Sequence, residues 1–209
     1  MWRVGIDVGG TFTDLFAWND ESREQVTSKV LTTKHDRAVG VVNAITAAKI
    51  PFDRISYLMH GTTTATNALI VRDYPDAAMV TTDGFRDTIE IARQHRERLY
   101  DPYQVKPKPI IKRRFRYTVG ERIDVRGEVV RPLPREQALE VAQKIKQHNI
   151  RSVAVAFINS YKNGAHERAM RDIIKEVNPD TYVVLSSETR PVFREHGRFT
   201  TTAIRAATI

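Results

Sequence analysis

Hydrophobic and polar residues alternate from the first position of the chain. Trp2, Val4, Ile6 and Val8 fall on one side and Arg3, Gly5 and Asp7 on the other, the two-residue period of a strand with one buried face. Gly9-Gly10 reads as a two-residue hairpin turn. Residues 11–18 and 25–31 read as the next two strands, antiparallel and separated by a polar turn over 19–24. Asp36 is placed to cap a helix reaching about residue 49, in which Ala38, Val41, Val42, Ile45 and Ala48 recur at helical spacing and Pro51 lies beyond the end.

The same reading continues with a short strand over 55–59. The run HGTTTATNALIV then turns into a helix, and a strand over 77–82 is closed by Asp83-Gly84. RYTVGERIDVRGEVVRPL reads as extended segments around an Arg126-Gly127 turn. A helix opens at Pro134 and runs to about 148, and an apolar strand spans 153–158. A helix over 165–177, a strand over 182–185 and a helical pattern over 193–209 complete the chain. Antiparallel strands followed by alternating strands and helices predict an α/β fold. TTAIRAATI ends in helical pattern with no Gly, Asn or Pro to close it, which reads as a chain that continues.

Composition narrows the chemistry. The 209 residues include 41% hydrophobic and 28% charged side chains, enough to bury roughly 70% of the surface of the unfolded chain. There is no cysteine, which excludes disulfides, thiolate nucleophiles and cysteine-ligated zinc. No apolar run approaches the roughly 20 residues of a membrane span, and MWRVGID lacks the features of a secretory signal. A cytoplasmic location and no membrane partner follow as expectations. The net charge of +8 is concentrated between residues 93 and 116, where nine lysines and arginines face Glu97 and Asp101. Prolines 102, 107 and 109 make this segment an extended loop. No nucleic-acid motif accompanies it, so a solvated arm or a subunit contact is expected and no nucleic-acid partner.

The turn raises the question of ligand. A Gly-Gly bend leaves backbone N–H groups uncovered by any Cβ, so several of them can converge on a phosphate. Thr11 and Thr13 share a strand face and add hydroxyl donors. Asp7, just before the turn, is placed to hold a hydrated divalent cation. Gly9, Gly10, Thr11 and Thr13 are therefore the candidate phosphate ligands and Asp7 the candidate metal ligand. His60, Thr62, Thr63 and Thr64 lie at a helix start, where an anion is favoured; ordinary capping explains the threonines equally well. Asp83, Arg86 and Asp87 follow a strand end, with an Arg-Asp surface pair as the simpler reading. His166-Glu167 lacks a second histidine at helical spacing and reads as a helix start. His35, His95 and His148 read as exposed polar residues. The sequences GxxxxGK[ST], GxGxxG, GxSxG and HExxH do not occur.

A hairpin phosphate loop of this kind resembles that of the actin, Hsp70 and sugar-kinase superfamily, whose ribonuclease H-like lobes clamp ATP. GIDVGGTFTDLF, HGTTTATNALI, VTTDGFRDTIEIAR, GERIDVRGEVVRPL, NSYKNGAHE and SSETRPVFREHGRFTTT occur in this order. Together they resemble the N-terminal region of the hydantoinase A and 5-oxoprolinase family, which includes carboxylases of acetone and acetophenone type. The resemblance implies a ribonuclease H-like lobe over 1–84, an inserted α/β region over 85–180, and a return to the main lobe over 181–209. It also implies ATP with Mg²⁺, a cyclic amide or ketone substrate activated by phosphoryl transfer, a second lobe further along the chain, and a partner subunit of hydantoinase B type. Asp7, His60, Thr62 and Thr63 take the catalytic positions. A small-molecule kinase of the same superfamily is the alternative enzyme. Asn159 and Arg205 depart from the family pattern, where many members carry His and Asn, and keep the ketone branch open.

Overall fold

A computed structural model of the chain describes residues 1–33, 36–95, 98 and 100–208. His35, Arg96 and Glu97 of the basic segment, and the helix end at Ile209, lie outside these residues. The chain divides into two compact units, Met1–Asp73 and Tyr74–Ile209.

In the first unit, β1 (Trp2–Val8), β2 (Phe12–Asn19) and β3 (Gln25–Leu31) form an antiparallel meander. Helix α1 (Arg37–Ala47) follows, then β4 (Ile55–Thr62), parallel to β1, and α2 (Thr64–Val71). The sheet order is β3-β2-β1-β4. Trp2, Val4, Ile6 and Val8 are all buried, and with Leu15, Ala17, Ala44 and Ile45 they make one core. The alternation seen in the sequence therefore packs the meander against α1. The Asp36 carboxylate accepts the Ala38 N–H at 2.9 Å, which satisfies one of the orphan donors of α1. Asp36→Ala is expected to lower the stability of this unit by about 1 kcal/mol, read as a shift in urea midpoint at unchanged slope. A shift indistinguishable from zero would show that the Asp36 carboxylate does not stabilise α1.

The second unit runs β5 (Ala78–Thr82), α3 (Thr88–Ile91), β6 (Arg116–Val119), β7 (Arg122–Ile123), β8 (Val129–Arg131), α4 (Arg135–Gln147), β9 (Ser152–Ala156), α5 (Ala165–Val177), β10 (Tyr182–Leu185), α6 (Ser186–Thr189) and α7 (Glu195–Ala207). Its main sheet is all-parallel, in the order β10-β9-β5-β6. β5 and β9 are buried at every position, as expected of strands covered on both faces. β7 and β8 form a separate hairpin around Gly127, whose φ of +95° favours glycine.

This architecture corrects the expected boundaries. The division falls between Asp73 and Tyr74, so β5 belongs to the second unit. β10 and α7 do not return to the first sheet: β10 hydrogen-bonds to β9. The reason is physical, since β5 is wholly apolar apart from its two threonines and needs a layer on each face. Residues 74–209 form a doubly wound layer of their own rather than an insertion.

Candidate functional site

The turn after β1 is built differently from the Gly9-Gly10 reading. Val8 pairs with Thr13 and Gly9 N–H donates to Phe12 O at 2.9 Å, so Gly10 and Thr11 are its central residues. Neither glycine has positive φ. Gly9 is required for space: a Cβ there would stand 2.9 Å from Phe12 O. Gly9 N–H is thus committed, whereas Gly10 and Thr11 are exposed and their N–H groups have no partner among the described residues.

Thr13 is not a ligand donor. Its side chain is completely buried, and its hydroxyl bonds Thr32 Oγ1 at 3.0 Å while Thr32 Oγ1 donates to Gly9 O at 3.0 Å. The pair braces the turn from below. Thr13 faces inward because its cross-strand partner Val8 does, and strand parity leaves no other choice.

Asp7 points to the exposed face, with Asp14 directly across on β2 and Gly61 beside it on β4. Like charges placed opposite each other destabilise a sheet. Asp14 is neutralised by Lys29 Nζ at 3.0 Å. Asp7 has no ion pair or hydrogen bond to its carboxylate among the described residues. Asp7, Asp14, Lys29 and His60 line one open concavity of about 900 Å³. Asp14 went unnoticed in the sequence, although the hairpin places it: any turn centred between Gly10 and Thr11 pairs residue 7 with residue 14.

β1 and β4 are parallel and end together at Val8 and Thr62. Thr62 Oγ1 donates to Val8 O at 3.0 Å and accepts the Thr64 N–H at 3.2 Å, so its one proton is spent on tying β4 and the start of α2 to β1. Thr63 is exposed and carries no side-chain cap bond; the Asn67 amide donates to its hydroxyl at 3.4 Å. Asn67 Nδ2 also lies 3.4 Å from where a Gly10 Cβ would be. It borders the bare turn, a neighbour that sequence distance concealed. His60 is exposed.

No group of three or more His, Asp or Glu able to hold a metal exists among the described residues. A hydrated Mg²⁺ needs no such cage, because it keeps several waters and takes one or two carboxylates plus phosphate oxygens. Asp7 and Asp14, with the free Gly10 and Thr11 amides beyond them, fit that requirement.

In the second unit, Asp83, Gly84, Phe85, Arg86, Asp87 and Glu195 line a concavity of about 670 Å³ beyond β5. Asp87 pairs with Arg113 at 2.9 and 3.0 Å, not with Arg86. That hydrogen-bonded guanidinium holds the Asp87 carboxyl below the usual carboxylate range. The sign follows: a depressed folded value contributes stability above the unfolded value of about 3.9, lost as pH falls through the folded value. Asp87→Asn is expected to lower the thermal midpoint at neutral pH and to lose that deficit below about pH 4, the effect weakening with salt because the pair is partly exposed. A deficit that stays constant down to the folded value would contradict the linkage.

His166 and Glu167 are not cap residues. The N-cap of α5 is Gly164, and the side chain of Asn163 before it accepts the Ala165 N–H at 3.0 Å. Both side chains are instead buried beside β9: His166 Nδ1 bonds Glu121 at 2.7 Å, and Glu167 accepts from Phe157 N–H and Ser186 Oγ at 2.9 and 2.6 Å.

A family model described as the hydantoinase/oxoprolinase N-terminal region matches residues 3–178. The chain is 46% identical over 98% of its length to an uncharacterized protein of Methanocaldococcus jannaschii, covering 31% of that protein. It is 36% identical over 83% of its length to the acetophenone carboxylase gamma subunit of Aromatoleum aromaticum, covering 26% of it. The crystal structure of the ATP-dependent caprolactamase from Pseudomonas jessenii superposes with a TM-score of 0.85 at 28% identity, over 98% of this chain and 31% of that one. The chain thus spans less than a third of the length of these relatives.

Proposed function

The chain belongs to the hydantoinase/oxoprolinase family, and from that premise we propose that it forms the N-terminal, ATP-phosphate-binding part of an ATP-dependent enzyme acting on a cyclic amide. In this reading the first unit is a ribonuclease H-like lobe; its strand order and the antiparallel β1–β3 meander support that assignment. The observation that carries the proposal is Asp7, an exposed carboxylate with no counter-charge among the described residues, placed two residues before a turn whose two central amides have no partner among those residues.

Mg-ATP would supply a phosphoryl group that turns a poorly reactive amide oxygen into a leaving group. The chain's own residues position and neutralise, which is most of what phosphoryl transfer requires. Gly10 and Thr11 N–H groups bind phosphate oxygens, and the Asn67 amide borders the same turn. Asp7 holds the hydrated cation, with Asp14 beside it, and Lys29 limits the repulsion between them. His60 and Thr63 face the substrate or the γ-phosphate. Thr62 and Thr13 act at one remove, fixing the strand ends and the floor of the turn. The rest of the clamp, and a second subunit of hydantoinase B type, would come from outside these residues.

The 36% identity to an acetophenone carboxylase subunit favours one second reading, activation of a ketone oxygen instead of an amide. ADP release by the full-length protein with its partner subunit separates the two: one arm adds lactams and hydantoins, the other ketones with bicarbonate. Stimulation by a cyclic amide is expected. Stimulation by ketones alone selects the second reading, and failure to bind or turn over Mg-ATP with any of them rejects both.

A further inference from the structure

We propose that the second unit carries a binding site for a small apolar carboxylate, in the cavity enclosed by α3, residues 106–110 and α7. The cavity holds about 300 Å³, at the lower end of small-molecule sites. Ile89, Ile91, Pro109, Ile110, Ala203 and Ile204 make its wall apolar, which suits a short aliphatic or single-ring tail. The proposal is separate from the nucleotide reading, since every group in it lies in the second unit.

The polar groups sit together and lean positive. Glu90 is the acid on the wall, and it is already committed to Arg116 Nη2 at 2.8 Å. Lys106 and His95 line the cavity and also share a smaller adjoining recess with Asp101. Asp101 faces Arg98 at 3.8 Å and accepts the Tyr103 N–H at 2.9 Å. Lys106 is exposed at the rim and has no ion pair among the described residues. On the α7 side, burial and the nearby Arg93 push His196 down, so that imidazole serves as a neutral wall group. Lys108, also on the wall, is already engaged, which leaves the Lys106 ammonium to meet a single negative charge.

The backbone adds an independent sign. Ala92 on the cavity wall has φ 57° and ψ −136°, and Gln94, also on the wall, has φ 59°. Non-glycine residues in such conformations cost about 1–3 kcal/mol each and gather at ligand clamps. Here the strain turns the chain over the cavity and brings His95 to its edge.

The test titrates the protein with hexanoate and benzoate, using hexan-1-ol and benzyl alcohol as neutral counterparts, and follows the methyl resonances of Ile91, Ile110 and Ile204. Saturable shifts with the acids are expected, with the alcohols weaker. Lys106→Glu, on the exposed rim, should weaken the acids about tenfold, the size of a reversed charge at a partly solvated site, and leave the alcohols unchanged. Ile204→Trp, which fills the cavity, should abolish binding; should it fail to fold, Lys106→Glu decides alone. Absence of saturation up to about 10 mM acid, equal affinity for alcohols and acids, or indifference to Lys106→Glu would each overturn the site.

Discussion

Asp7→Asn in the full-length protein is expected to cut the rate of ATP turnover by about 100- to 1,000-fold, equivalent to about 3–4 kcal/mol of transition-state stabilisation. The substitution keeps the side chain's size and removes a charge that has no partner among the described residues. Folding should not suffer. Asp7 is exposed, and neutralising it removes its repulsion with Asp14 across the hairpin, so the thermal midpoint should stay level or rise slightly. Lower activity with equal or higher stability is the signature of a residue placed for chemistry at some expense to the fold. Asp14→Asn should cost less, because Lys29 already offsets that charge. Nucleotide affinity measured without Mg²⁺ should barely change in Asp7→Asn, and the loss should appear only with the metal. Turnover within about threefold of the wild type, a free energy under 1 kcal/mol, would remove Asp7 from the metal and reassign the turn.

The first unit was largely legible because its information is local. Four alternating apolar residues define β1, and Asp36 marks the start of α1. The register of the hairpin was not legible, since a turn centred on Gly9-Gly10 and one centred on Gly10-Thr11 differ only in which small residue bends. Both place Thr13 opposite an inward residue of β1, so its burial followed from parity in either case. Only the second brings Asp14 opposite Asp7. The second unit is governed by distant partners. β5 could be recognised as a strand, yet nothing within it says that its neighbours lie at 116–119 and 152–156. The same holds for His166, which reads as a helix start, while nothing near it in sequence points to Glu121, 45 residues away. Asn159 has a local reason that composition concealed: its φ is 58°, a left-handed conformation that asparagine tolerates, and its amide donates to Ile123 O at 2.9 Å.

Arg198→Leu is expected to destabilise the second unit by about 3–5 kcal/mol, the range for breaking a buried charge network from one side. Arg198 is fully buried on α7 and reaches three places: Phe157 O after β9 at 2.8 Å, Ser186 Oγ after β10 at 3.1 Å, and Val192 O at 2.9 Å. Ser186 passes the contact on to Glu167, which it meets at 2.6 Å. The guanidinium and the Glu167 carboxylate therefore balance each other through one hydroxyl, and each would lose its counter-charge in the core without the other. Leucine matches the apolar surroundings but takes the counter-charge from the carboxylate and a charged donor from three acceptors. Glu167→Gln in the same background should recover part of the loss, because the pair then leaves together; a coupling of about 1–3 kcal/mol is expected. Urea unfolding with hydrogen exchange at the β9 and β10 amides gives both numbers. Independent, additive losses would mean that Arg198 only fills space, and the α7 helix would then have to be held on the sheet by Phe199, Ala203 and Ala206 alone.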